Sequence, residues 1–525
     1  MTNSWLVLLP PLIVLGIALF FRQLIAAMVI GLLSAALIAA DFSPMSAATL
    51  VGKRFWLGVS ELDTLYNFSF LFAIGVFVSL LGMTGGATAF AHSIASRLKT
   101  AKMVESAIFP FSLLLALDDY LNTLTVAHVM RPLTNRFKIA RAKLAFLIQT
   151  FAGPLVILVP LSSWAALIIG QLELSGINFG SDAKILGDPF FVYLKSIPFI
   201  FYSLLMISSA WLIIRCGLSY GPMHKHELIA KETGNLWGGH KPLEEIAHEE
   251  VQHGTLSDLL LPLFTLLISV LLGIAWSGDY YLTGGNLSFI DALKNNNQTA
   301  LVLFVSSIIT LFVGFAQAVI KKRITLPQIP QIIKAGILLM YSAIFVVFLA
   351  SLLGTILRVD LETGSYLAHK LLGSVPLYLF PLMIFITTTL ISMAIGTAWG
   401  TITLMLPIAI PMYLTFTAIA TPATLADLPL LFPILGALFS GAVVGDHVSP
   451  VSSAGIMAAN SSGCYPLDHT ITQFPYAIPA IIGCCISFFV VSFLNFNSVA
   501  LNALISLIIG LIPCLSIHYV LNKRR

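Results

Sequence analysis

From end to end the chain alternates between long apolar runs and short polar breaks. Apolar windows, cut where charges or Pro, Gly and Asn clusters interrupt them, predict membrane-spanning helices near 4–21, 23–40, 67–92, 143–170, 190–214, 257–278, 299–320, 334–357, 430–460, 476–496 and 500–520. Each window reaches roughly 18 residues or more, enough to cross about 30 Å of hydrocarbon. Two further apolar segments, 105–131 and 376–411, are interrupted near their middles by the polar runs Asp118-Asp119-Tyr120-Leu121-Asn122-Thr123 and Gly396-Thr397-Ala398-Trp399-Gly400-Thr401. Both are expected to be re-entrant hairpins, and the reason is charge. A crossing at 105–131 would place the basic loops beside it (Arg97, Lys99, Lys102 and Arg131, Arg136, Lys138, Arg141, Lys143) on opposite faces, against the positive-inside rule. With two hairpins, 20 of the 27 Lys and Arg residues fall on the cytoplasmic side and 7 outside, the N-terminus lying outside and the C-terminus inside.

The expected fold class is therefore an all-α polytopic membrane protein of about 11 transmembrane helices plus two re-entrant hairpins. Composition agrees: 58% of residues are hydrophobic and only 10% charged, where a soluble protein has about a quarter. Mean hydropathy is +0.96. No room remains for a large soluble catalytic domain, and a net charge of +4 spread over many loops argues against a nucleic-acid partner. No Walker motif and no nucleophile-and-base arrangement stands out, so neither an ATP-driven pump nor an enzyme is expected. Gly82, Gly85 and Gly86 read as close helix packing rather than a phosphate loop. The five cysteines form no CxxC pair and have no His partners at zinc spacing, and read as small apolar residues. No Lys or Arg precedes the first apolar run, so the first helix is expected to stay rather than be cleaved as a leader. The longest polar stretch, 215–256, reads as a solvated cytoplasmic linker. Its His224, His226, His240, His248 and His253 match no standard ligand spacing.

The two interrupted segments resemble each other. Asn122-Thr123-Leu124-Thr125 followed by Pro132-Leu133 parallels Gly400-Thr401-Ile402-Thr403 followed by Pro407-Ile408, and each is succeeded by a second matching element, Pro160-Leu161-Ser162-Ser163 and Pro450-Val451-Ser452-Ser453. An odd number of predicted crossings separates the copies, so they run in opposite senses. The chain then divides into a first inverted repeat (1–214, with hairpin 105–131 and broken helix 143–170), the linker, a second repeat (257–496, with hairpin 376–411 and broken helix 430–460) and an extra C-terminal helix (497–525). Inverted repeats with broken helices near the midplane are the architecture of secondary transporters.

Carboxylates inside the membrane are costly, which makes Asp118, Asp119 and Asp446 functional candidates. Two adjacent carboxylates do not easily both ionise there, so one of the pair is expected to hold a proton. Its partner, with Asn122 and Thr123, supplies hard oxygen ligands for Na⁺, the metal set being Asp118, Asp119, Asn122 and Asp446. The alternative is that the pair caps a half-helix. His447 either relays a proton to Asp446 or sits neutral among backbone carbonyls. Ser162, Ser163, Ser449, Ser452, Ser453, Thr397 and Thr401 either bind substrate or satisfy backbone freed at the breaks. Trp164 and Trp399 either gate the pathway or pack.

At these residues the sequence resembles the NhaC-type sodium/proton antiporter family, within a wider superfamily of inverted-repeat ion transporters. The carrying motifs are LDDYLNTLTVAHVMRP (117–132), KLAFLIQTFAGPLVILVPLSSWAA (143–166), GTAWGTITLMLPIAIP (396–411) and GDHVSPVSSAGI (445–456). The resemblance implies a carrier in the cytoplasmic (inner) membrane, using Na⁺ and H⁺ as coupling ions with no further cofactor. The expected partners are the lipid bilayer, these ions, a small organic solute and a second copy of the chain as a homodimer. In two places the chain departs from the family: Gln149-Thr150 stands where it typically reads Asp-Ser, and Pro450-Val451-Ser452-Ser453 where it reads Pro-Ile-Ser-Asp. Both remove a carboxylate and place Gln149 among the substrate-binding candidates. The expected activity is Na⁺/H⁺ antiport. The alternative is Na⁺- or H⁺-coupled transport of an amino acid or small organic acid on the same scaffold.

Overall fold

Helix caps and chain breaks fix where each apolar run starts and stops. The computed structural model describes residues 4–21, 23–86, 89, 98–180, 183–243, 254–289, 291–292, 298–371, 375–494 and 498–523. The first part runs α1 (Leu9–Phe21), α2 (Leu24–Ala39), α3 (Pro44–Ser60) and α4 (Leu62–Thr84). Stretch 41–66, expected to be a loop, instead carries α3, bent 117° from α2. Ser43 caps it by accepting from Ser46 N–H, and Pro44 occupies its first turn, where a missing N–H costs nothing. Helix α4 ends at Gly85 in the left-handed region (φ 69°), before the predicted limit of 92. Arg97 and the rest of 90–97 lie outside the described residues, as do Arg22, Lys294, Arg524 and Arg525.

The first hairpin comprises α5 (Ala101–Leu114) and α6 (Asp119–Arg136). The first broken helix is α7 (Arg141–Phe151), a single turn at Gly153–Val156, and α8 (Ser163–Leu174). Next come α9 (Pro189–Ser196), α10 (Phe201–Cys216), α11 (Gly221–Thr233), α12 (Leu256–Ser277), α13 (Thr299–Ile320), α14 (Ile329–Thr355) and α15 (Thr363–Leu371). The second hairpin is α16 (Phe380–Ile395) and α17 (Ala398–Thr417), and the second broken helix α18 (Leu431–Val448) and α19 (Ser453–Ser462). Helices α20 (Pro466–Val491) and α21 (Val499–Lys523) complete the chain. Helix α20 begins at Pro466, not near 476, because buried polar side chains such as His469 and Gln473 interrupt the apolar pattern without interrupting the helix.

Among the described residues nine helical stretches are long and apolar enough to cross a membrane, and up to eleven when each of two bent pairs counts as one span. The protein is an all-α polytopic membrane protein, as the pattern predicts. Membership differs from the windows: each arm of the second hairpin (residues 377–395 and 398–417) passes the length test alone. Helix α18 lies at the centre, with all of its residues buried. Gly445 lets it approach the tip of α16, since a Cβ there would fall 2.2 Å from the Ser392 carbonyl carbon. A small parallel sheet joins the halves, β1 (Ile177–Asn178), β2 (Ile185–Leu186) and β3 (Ala423–Thr424), with Ile177 opposite Ile185 and Ile185 opposite Ala423.

Segment 215–256 is not simply a solvated linker. Its helix α11 buries Met223, Glu227 and Ala230. Lys143, counted above among loop charges, lies 2.9 Å from Glu105 and 2.5 Å from Glu227, and none of the three is more than 8% exposed. Ser219 also donates to Glu227, and Trp237 donates from its indole to the Gly463 carbonyl (2.9 Å). The apolar pattern misses this docking because the anchors are charges. His248, His253, Glu244, Glu245, Glu249 and Glu250 lie outside the described residues.

One cation thus holds two buried carboxylates on different elements, and removing it would strand both. Lys143→Met should lower the stability of the detergent-purified protein by about 3–5 kcal/mol, read as a fall in unfolding temperature. Lys143→Arg should restore most of the loss.

Candidate functional site

Four helix N-termini point into one internal cavity of about 370 Å³: those of α6, α8, α17 and α19. They arise from the two polar runs and the two Ser-rich breaks. Asp118 accepts from Leu121 N–H (3.0 Å) through Oδ1 and from the Ser163 hydroxyl (2.9 Å) through Oδ2. Ser162 caps α8 by accepting from Ala165 N–H (3.2 Å), and Ser452 caps α19 by accepting from Gly455 N–H (3.0 Å). The fourth N-cap, Thr397, makes no side-chain capping bond. There the Ala398 N–H faces the Asp446 carboxylate, which also accepts from Ser452 Oγ (3.2 Å).

In each half the hairpin tip is tied to that half's own break. In the first, Ser163 N–H donates to the Leu117 carbonyl (2.8 Å). In the second, Ser449 Oγ donates to the Met393 carbonyl (2.7 Å), and Gly396, at φ 75°, leaves no space for a Cβ, which would lie 2.8 Å from the Val451 carbonyl oxygen. The cavity brings together Asp118, Asp119, Trp164, Thr397, Trp399, Asp446 and Ser453 from the sequence-derived set. Helix α14 supplies an apolar wall of Leu339, Met340 and Val346.

The adjacent aspartates have different surroundings. Both Asp118 oxygens accept hydrogen bonds within the protein. Asp119 Oδ1 is buried without a hydrogen-bond partner, as is the indole nitrogen of Trp164, and both residues line the cavity. A second void, of about 10 Å³, lies between Asp119, Thr123, Gln149, Asp446 and His447. That is about the volume one water-sized sphere needs.

The remaining candidates lie behind these spaces. Gln149 donates from Nε2 to the Asp446 carbonyl (3.1 Å), and its Oε1 accepts from His469 Nε2 (2.5 Å) and Gln473 Nε2 (2.9 Å). Gln473 also donates to the His447 carbonyl. The His447 ring lies between the Thr150 hydroxyl (3.2 Å from Nε2) and the Tyr202 hydroxyl (2.8 Å from Nδ1). Asn122 donates to the Ser112 carbonyl (2.7 Å), joining the hairpin arms, and its Oδ1 has no partner. Thr401 bonds back to the Thr397 carbonyl (2.8 Å) within its own helix. Sequence reasoning missed Tyr120 and Val451 on the cavity wall, and Tyr202, His469 and Gln473 behind it. Tyr120 and Val451 lie inside the quoted motifs; Tyr202, His469 and Gln473 carry no local signal. Among the described residues no group of three or more His, Cys, Asp or Glu side chains could hold a metal ion, so a cation here would depend on hydroxyl and carbonyl oxygens as well as carboxylates.

Comparisons with known proteins give one family and a likeness of fold. The sequence model described as the Na⁺/H⁺ antiporter family matches residues 155–493, from the first break to the end of α20. An uncharacterized protein of Haemophilus influenzae is 27% identical over 491 residues, covering 93% of this chain and 90% of that protein. The YdaH transporter of Alcanivorax borkumensis superposes over 86% of this chain and 89% of its own with a TM-score of 0.51 at 15% identity, a likeness of fold. MtrF of Neisseria gonorrhoeae aligns over 92% and 85% with a TM-score of 0.36 at 14% identity.

The Gln149 amide joins two broken helices and α20 through three bonds, so its loss should leave buried polar groups unpaired. Gln149→Leu should cost about 1–3 kcal/mol for each group so stranded, seen as a lower unfolding temperature in detergent. An unchanged melting curve would remove the bridging role.

Proposed function

The chain belongs to the Na⁺/H⁺ antiporter family, and from that premise we propose that this secondary transporter exchanges Na⁺ for H⁺, in the manner of the NhaC type, across a cytoplasmic membrane. The observation that carries the reading is the small void with Asp119 from one half and Asp446 from the other on its wall. Carboxylate and hydroxyl oxygens suit a hard cation. Thr123, Gln149 and His447 also line the void. Either Na⁺ or a proton neutralises the same carboxylates, so the two compete for one site, and only the neutralised site passes readily through an occluded state. Asp118, committed as a cap, positions the helix end that carries Asp119. The excess of Lys and Arg on one set of predicted loops supports a cytoplasmic C-terminus and an outside N-terminus.

One observation favours a second reading. The 370 Å³ cavity is large for a bare ion and falls within the size range of small-molecule sites. Four helix N-termini, each carrying about half a positive charge, face it. With Asp118, Asp119 and Asp446 on the same wall neutralised by Na⁺ or H⁺, those helix ends suit the carboxylate of a small organic acid or amino acid, which would enter together with the cation.

Proteoliposomes enclosing a pH-sensitive dye separate these readings. An inward Na⁺ gradient applied without organic solute should drive proton efflux, and Asp119→Asn should abolish it while the protein remains folded. Asp118→Asn keeps an oxygen for Leu121 N–H and should retain part of the flux. Proton movement that requires an added carboxylate would replace antiport with solute transport, and full exchange by Asp119→Asn would move the ion site elsewhere.

A further inference from the structure

The segment that follows α11, residues 234–241, crosses from the start of α7 to the turn between α19 and α20. Its shape is set from within. Asn235 Oδ1 accepts from the N–H groups of Trp237 (2.8 Å) and Gly239 (3.2 Å), and its Nδ2 donates to the His240 carbonyl (3.0 Å). Gly234, Gly238 and Gly239 take the positive φ values (77°, 63° and 93°) that glycine adopts readily. The attachments to the two sides differ. Toward α7 they are buried: Leu236, 7% exposed, packs with Ala140 and Ala230, and its carbonyl accepts from the Arg141 N–H (3.0 Å), two residues before the Lys143 that holds α11. Toward the α19–α20 turn they are single, partly exposed contacts. The Trp237 ring, with the Arg141 guanidinium over it at 5.3 Å, donates from its indole N–H to the Gly463 carbonyl (2.9 Å). The Tyr465 hydroxyl donates to the Lys241 carbonyl (3.1 Å), and the exposed His240 lies 3.6 Å from Asp468.

The helices joined in this way carry the small void at their other ends. Gln149, eight residues along α7 from Arg141, and Ala454, nine residues back along α19 from Gly463, both line that void with Asp119 and Asp446, at about 12 and 13 Å by helix rise. Gly463, the C-cap of α19, also abuts α6: a Cβ there would lie 3.0 Å from the Arg131 guanidinium. The Gln149 bonds go to α18 and α20, and the bond to the far end of α19 comes from Trp237. Basic residues such as Arg131, Arg136 and Lys138 assign these helix ends to the inner face.

We propose that residues 237–241 form an inner latch. Seated, they hold α19 and its turn against α6 and α7 and close the small void toward the inner face; released from the turn, they let the void open there. The buried anchor at Leu236 keeps the segment in place during release, and Gly238 and Gly239 supply the bend. The proposal rests on the Na⁺/H⁺ reading only in taking the small void as a station of the transported ion, and its test does not use that ion. Inside-out vesicles holding the full chain with Ala454→Cys are treated with a membrane-impermeant methanethiosulfonate, and modification at that position is followed by mass spectrometry. Adding Trp237→Ala should speed modification about tenfold, the scale of one lost hydrogen bond and its ring contact. Tyr465→Phe, which removes only a hydroxyl, should act in the same direction and decides the matter if Trp237→Ala does not fold. Cys464, buried in the turn (3% exposed), reports local loosening in the same samples. Faster reaction of Cys464 with an unchanged rate at position 454 would make the segment a local brace and overturn the latch, as would unchanged rates at both positions. Faster modification at position 454 in a protein whose liposomes show no Na⁺-driven proton movement would retain the latch and discard the exchange.

Discussion

Backbone N–H groups left at a helix end have no water to turn to inside a membrane, and everything at the centre of this protein follows from giving four such ends a partner. Asp118, Ser162 and Ser452 do this directly as caps. At the fourth end the cap is not the residue before the helix but Asp446, reaching from α18 toward Ala398. A carboxylate that caps a neighbouring element's helix is committed to structure and available to the cavity at once. That double commitment explains why the two hairpin tips and the two breaks meet in one place.

Much of this was legible in the sequence, because polar residues inside apolar runs are conspicuous. The interruption at Asp118–Thr123, the turn at Gly396-Thr397, and the Ser-rich breaks after Pro160 and Pro450 all lie where the chain leaves the helix. The expectation of a repeat, a hairpin followed by a broken helix, rests on the same residues. What could not be read was the division of labour within the Asp pair. Asp118 and Asp119 are neighbours of identical chemistry, and only the three-dimensional position of the Ser163 hydroxyl separates the capped carboxylate from the one with an unpaired oxygen.

Elements whose anchors are long-range were equally hidden. Helix α3 carries Lys53 and Arg54 in its middle, so the apolar pattern predicts no span there. Helix α11 looked like solvated linker because Glu227 is charged, yet its partner Lys143 lies 84 positions earlier in the chain. Similarly, Gln149 was read as a cavity residue in place of an acidic one. Its amide instead bonds the Asp446 carbonyl, His469 and Gln473, and it only borders the small void.

The Gln149 amide also constrains motion. It joins α7 to α18 and α20, and each hairpin tip is bonded to the break that follows it, so these elements are interlocked around Asp119 and Asp446. Elements bonded to one another at the cavity do not part there without breaking those bonds. On the other side of the cavity Leu339, Met340 and Val346 of α14 present apolar side chains. The directional tie on that side lies further along α14, where Gln171 of α8 donates to Ser351 (2.8 Å), so the interlocked block is held to α14 by packing with that bond as its anchor.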